Sequence, residues 1–204
     1  AKVALTENYF EFEGTLYLQT HGISMRSTFA PSLAGLYVYN FESQHILHNS
    51  NQYQDHIVVW KRYIDDVLLI WKGNESTAES FLAWINNLDT NLKFTHTMSK
   101  DHLVFLDLEL NAIGGQLKTT THHKITDKNN LLDFGSFHPR CLRENLPYGQ
   151  FLRHRRNCTS TVDFKKQADQ LTNKLRSRHY PDRIINRAHK RARNQNREAL
   201  LDMS

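Results

Sequence analysis

The order of apolar and polar positions divides the chain into a strand-rich stretch followed by a helical one. "YFEFEGTLYLQTHGISM" alternates around Gly14 and predicts a hairpin that runs into a loop at Gly22. From Thr28 to about His48 the pattern turns helical, with Pro31 acceptable in a first turn. Across residues 56–72, two β-branched and aromatic arms, "HIVVW" and "VLLIW", flank Asp65-Asp66 and predict strand, turn, strand. "ESTAESFLAWINNLD" then sets Ala78, Phe81, Leu82, Ile85 and Leu88 on one helical face. "KFTHTMS" and "HLVFLDLEL" predict two further strands. In the second, Val104, Leu106, Leu108 and Leu110 face one side, and Asp107 and Glu109 the other. Gly114-Gly115 predicts a tight hairpin into "QLKTTTHHK".

Beyond about residue 127 strand patterns stop. "PYGQFLRHRRNC" and "TVDFKKQADQLTNKLRSR" read as helices. The second has Thr161 as N-cap and Phe164, Ala168, Leu171 and Leu175 in one stripe. Pro181 starts a third helix, with Ile185, Ala188 and Ala192 on one side and Arg elsewhere. The fold class is therefore α+β, an antiparallel sheet with helices over residues 1–122 and a small all-helical domain over 123–204. Phe151 and Tyr148 are expected in the core of the latter rather than stacked on bases. His45 and His48 are expected at the surface.

Charge sharpens that division. Residues 1–150 carry 12 Lys/Arg against 16 Asp/Glu, and residues 151–204 carry 14 against 5, ten of the fourteen being Arg. The planar guanidinium suits phosphate, so the basic quarter points to nucleic acid ahead of a membrane surface. No apolar run approaches the ~18 residues that span a bilayer. The N-terminus has no apolar stretch with a small-residue cleavage site, so secretion is not indicated. It begins without Met, as a processed product or a fragment would. Two cysteines without a CxxC pattern suit a reducing compartment. The expected location is intracellular, the nucleus ahead of the cytoplasm.

Asp65 and Asp66 stand between strongly apolar arms, where adjacent carboxylates repel each other and lose hydration. A hairpin turn accounts for the pair, and so does a divalent-metal site.

The flanking blocks add a resemblance. "RYIDDVLLIW" resembles the YxDD hairpin of reverse transcriptases, and "LQTHGISMRSTFAPSLAGLYVYNFE" resembles the loop and helix before it in the Penelope-like group. "FLDLEL" with its Gly-Gly hairpin is similar to the strands that close the palm. "HHKITDKNNLLDFGSFHPRCLRENLPYGQFLRHRRNC" is similar to the helix-turn-helix domain of animal reverse transcriptases. The resemblance implies a partial palm followed by a thumb-like helical domain. The complete protein would be an RNA-directed DNA polymerase extending a DNA primer on an RNA template with deoxynucleoside triphosphates. Its two Mg2+ (or Mn2+) ions would lie about 3.5–4 Å apart. Asp65 and Asp66 would be metal ligands. Gln19, Gly22, Arg26, Pro31 and Tyr63 would lie near nucleotide or template. Arg153, Arg155, Arg156, Lys165, Lys166, Arg176 and Arg178 would line the nucleic-acid backbone.

Three features depart from that family or compete with it. The family carries another metal-binding Asp upstream, whereas the 21 residues before Gly22 hold only Glu7, Glu11 and Glu13 as acids. The fingers region is absent as well, so weak or no activity is expected of this chain alone, and a non-catalytic nucleic-acid-binding remnant is the rival expectation. Met25-Arg26 stands where the family has Met-Gly, and Gly there permits close backbone approach. Finally, His138-x2-Cys141 and His154-x3-Cys158 approach the spacing of a zinc site, although the two arginines after His154 suit phosphate better. Asp107 is a conceivable third carboxylate, or the partner of a nearby cation.

Overall fold

Strand pairing in this protein is local. The computed structural model describes residues 6–24, 27–89, 91–124 and 126–202. Among them are the antiparallel pairs β1 (Tyr9–Phe12) with β2 (Thr15–Leu18) and β3 (Ile57–Tyr63) with β4 (Asp66–Trp71). A third sheet runs in the order β5 (His102–Phe105), β6 (Leu108–Ile113), β7 (Gln116–Thr121). Every sequential pair is closed by a two-residue turn, of two kinds. Glu13-Gly14 and Gly114-Gly115 have positive φ at both residues, as a type I′ turn requires. At Ile64-Asp65 and Leu106-Asp107 only the first residue is positive, +57° and +55°, a place Gly normally takes.

Two expected strands are corrected, the first by the second kind of turn. "HLVFLDLEL" is not one strand but a hairpin that reverses at Leu106-Asp107 and pairs Phe105 with Leu108. Val104 therefore pairs with Glu109, and Leu103 with Leu110. "KFTHTMS" joins no sheet. The Asn86 side chain stands in for a strand partner, accepting from Phe94 N at 2.7 Å and donating to Phe94 O at 2.9 Å.

The chain divides into two compact units, Ala1–Thr95 and His96–Ser204. In the first, α1 (Ala30–Phe41) passes into a wider turn over Glu42–Ile46, and α2 (Glu75–Leu88) begins at Asn74, whose side chain accepts from Thr77 N at 2.8 Å. Phe41, Ile46, Phe81 and Ile85 are buried, with Tyr53, Trp60, Trp71 and Phe94 packed around them. His45 is half-buried, its ring 5.0 Å from Phe41, and only His48 is exposed as expected. Glu42 is buried beneath β3 and accepts from Trp60 Nε1 and Arg62 Nε, both at 2.8 Å.

In the second unit the sheet leads into α3 (Arg140–Asn157), α4 (Thr161–Arg176), α5 (Asp182–Arg193) and α6 (Arg197–Leu201). α3 starts a full two turns before the expected "PYGQFLRHRRNC" and contains Pro147. Ser160, not Thr161, caps α4, its hydroxyl accepting from Val162 N at 3.1 Å and Asp163 N at 3.5 Å. Phe164, Ala168, Leu171 and Leu175 form the predicted stripe. They close a core with Phe151, Cys158, Tyr180, Ile185, Ala188 and Ala192, against which Tyr148 is partly buried. The sheet is tied to the helices at several residues: Thr119 O accepts from Thr159 N at 2.9 Å, Thr119 Oγ1 donates to Asn157 O at 2.6 Å, and Thr121 O accepts from Gln167 Nε2 at 3.2 Å. No described helix is long and apolar enough to cross a membrane.

Candidate nucleic-acid interface

The α5 sequence "DRIINRAHKRAR" buries Ile184, Ile185, Ala188 and Ala192, which leaves its basic residues on the outer side. Arg183, Arg187 and Arg191 follow one another at four-residue spacing and form a single stripe. Lys190 and Arg193 are exposed beside it. The Arg191 guanidinium lies 4.0 Å from the centroid of the Tyr148 ring on α3, which holds that end of the stripe in place. At the other end the Glu144 carboxyl sits below its usual range. The main cause is the hydrogen bond from Arg140, with Arg187 and Arg183 adding a smaller field. Five exposed basic residues on one short helix, with Asp182 its sole acid, make α5 the most concentrated positive surface of the described unit.

The seven basic residues expected to grip a backbone divide into two groups. Arg156, Lys165 and Lys166 are exposed and make no side-chain hydrogen bond or ion pair among the described residues. The other four are engaged within the fold. Arg153 is bonded to Asp107, and Arg155 donates to Gln195 O at 3.2 Å while covering Phe164. Arg176 donates to Asp182 Oδ1 at 2.8 Å, and Arg178 bonds Asn129 O. Their partners lie up to 49 residues away in sequence. The α5 stripe lies on the helix whose outer side the sequence assigns to Arg, although the residues expected as individual phosphate ligands come from α3, α4 and the turn after α4.

In the first unit, Asp65 and Asp66 lie at and beside the β3–β4 tip, and neither carboxylate has a hydrogen-bond or ion-pair partner among the described residues. Tyr63 is 58% exposed next to them. Arg62 secures the tip, donating to Ile64 O at 3.0 Å while Glu42 holds its other side. Gln19 donates to His21 O at 2.8 Å, Gly22 takes a φ of +77°, and Pro31 is exposed in the first turn of α1. Arg26 lies outside the described residues.

The remaining alternatives are also placed. Among the described residues no three His, Cys, Asp or Glu side chains gather as a metal site. Cys141 is exposed, Cys158 is buried, and the buried His154 ring meets Thr121 Oγ1 at 3.0 Å instead of a thiol. Asp107 is the partner of a cation, Arg153, with Asn157 at 3.4 Å.

Residues 130–190, which hold α3, α4 and most of α5, are similar to the animal helix-turn-helix domain. No curated protein and no solved structure matches the chain.

Proposed function

We propose that the chain binds duplex nucleic acid through its helical unit, with α5, Arg156, Lys165 and Lys166 facing the phosphates. The observation that carries this reading is the α5 stripe, positive charge left exposed by a helix whose inner side is wholly taken up by the core. The similarity to a helix-turn-helix domain supports it. Backbone contacts of this kind supply affinity and salt dependence rather than sequence choice.

The test is a titration of an RNA–DNA hybrid across salt, comparing the chain with the triple variant Arg183→Gln, Arg187→Gln, Lys190→Gln. The logarithm of affinity should fall linearly with that of salt. The slope should become shallower by roughly 0.7–0.9 for each phosphate that the variant no longer neutralises. Equal slopes for the two proteins would remove α5 from the interface.

A second reading rests on the β3–β4 tip. Two carboxylates without a protein partner, on a turn that strains Ile64, supply the oxygen donors that Mg2+ or Mn2+ takes together with substrate phosphates. In this reading residues 1–122 are the C-terminal part of a reverse-transcriptase palm. Its complete form would transfer nucleotides to a DNA primer on an RNA template, with Gln19, Gly22, Pro31 and Tyr63 near template or nucleotide. Bound ions would stabilise the charge of the transferring phosphate, and the tip's part is to hold Asp65 and Asp66 in position. Mn2+ added to isotope-labelled protein should broaden the amide signals of residues 62–67, and the variant Asp65→Asn, Asp66→Asn should abolish that broadening. Equal broadening in both proteins would count against the metal reading.

A further inference from the structure

A cavity of about 270 Å3 opens where the end of β7 and the residues after it meet α3 and α4. Its walls combine neutral polar, titratable and apolar side chains. Asn130, Gln150 and Gln170 line it, and none of the three carboxamides has a hydrogen-bond partner among the described residues. Each offers a donor and an acceptor side by side in one plane, the pattern that complements the edge of a nucleobase.

Two more polar groups in the lining are under-used. His154 is only 4% exposed, and its Nδ1 meets Thr121 Oγ1, leaving Nε2 without a protein partner. Asn129 gives its amide hydrogens to Lys174 O and Ser177 Oγ, at 3.0 and 2.9 Å, and its buried Oδ1 accepts nothing. An unmet polar atom in such a place costs about 1–3 kcal/mol. Leu131 and Leu171 supply apolar surface for a ring face.

Positive charge is present too. Arg153 and Lys174 line the cavity, each held on one side by an aspartate, Asp107 and Asp127, with further N–H donors remaining. The volume lies below the ~300–1,000 Å3 of clefts for drug-sized ligands, and it suits one base with its sugar.

We propose that this cavity takes a single unpaired nucleobase, read by the Asn130, Gln150 and Gln170 amides and His154 Nε2, with its phosphate on Arg153 and Lys174. The proposal rests on the nucleic-acid reading given above. The base has two possible sources, a strand from which it has swung out or a free nucleotide. Extrusion from a duplex costs a few kcal/mol, and least where the base is already unpaired.

The experiment compares three probes: a blunt RNA–DNA hybrid, the same hybrid with a one-base bulge, and the four ribonucleoside monophosphates. Binding is measured by anisotropy, and the His154 imidazole signals are followed by NMR. The bulged hybrid should bind at least about tenfold more tightly than the blunt one. Gln150→Leu and Gln170→Leu should remove that advantage while leaving blunt-hybrid affinity unchanged. Gln170 is exposed, so its replacement tests the site without disturbing the core. Equal affinity for bulged and blunt hybrids, with no imidazole shift from any monophosphate, would overturn the cavity proposal and leave the α5 interface standing. Failure of every hybrid to bind would instead overturn the α5 interface. An imidazole shift from a monophosphate would then assign the cavity to free nucleotides, and no shift would remove it.

Discussion

Ile64 is a β-branched residue held at a φ of +57° with its side chain 64% exposed, so no burial offsets the strain. Such a conformation costs about 1–2 kcal/mol. It is over-determined from below, since Arg62 holds the Ile64 carbonyl and buried Glu42 holds Arg62. Ile64→Gly is therefore expected to stabilise the chain by about 0.5 kcal/mol, once the greater freedom of Gly in the unfolded chain is set against the strain removed. Chemical denaturation would measure it. Glu42→Ala leaves Arg62 half-buried and unpaired, and is expected to cost about 3 kcal/mol by the same measurement. His154 supplies a pH dependence of its own. Burial, with a smaller push from His123, lowers its imidazole from 6.5 to about 4. The unfolded chain takes up that proton first, so stability present above pH 6.5 is lost as pH falls towards 4, by roughly 3 kcal/mol. Burial lowers His189 as well, and acts in the same direction. His154→Gln should flatten the acid limb of a stability–pH profile.

The helices were the more legible elements. The faces of α2, α4 and α5 follow the 3.6-residue period, because each buries one side and the apolar positions have nowhere else to go. The strands were less so. Leu106 sits at a position where Gly or Asn would have signalled a turn, and the alternation Val104, Leu106, Leu108, Leu110 reads straight across it. The signal that existed was a comparison within the chain. "YID" and "FLD" place aromatic, aliphatic and Asp alike, and both fold into turns whose aliphatic residue has positive φ. In one turn the aspartate meets Arg153, and in the other its counterpart meets no protein cation among the described residues. Sequence could not reveal that Arg153, Arg155 and Arg178 were engaged by the fold, because their partners Asp107, Gln195 and Asn129 lie 40 to 49 residues away along the chain. The contrast is open to test. Arg153→Gln should destabilise the second unit by up to about 1 kcal/mol while hardly altering the salt slope of duplex binding, because it removes an exposed ion pair.

At the scale of the whole molecule, the two cores lie in units of opposite net charge. The first unit carries 6 Lys/Arg against 10 Asp/Glu and the second 20 against 11, nets of −4 and +9. The composition changes near residues 121–127, but the compact units part at Thr95, because β7 is bonded to the α3–α4 turn through Thr119 and Thr159. The two buried clusters share no residue. Calorimetry is therefore expected to show two transitions instead of one. Phe81→Ala should lower the first unit's transition and Phe151→Ala the second's, each by about 3–5 kcal/mol of local stability. A single transition shifted by both variants would mean that the cores unfold together.

The two thiols bracket α3. Cys141 stands exposed in its first turn and Cys158 is sealed at its end, and they are the only cysteines of the chain. A maleimide dye should therefore attach at Cys141 alone under native conditions. The slower modification of Cys158 would then act as a clock, timing how often the helical bundle opens.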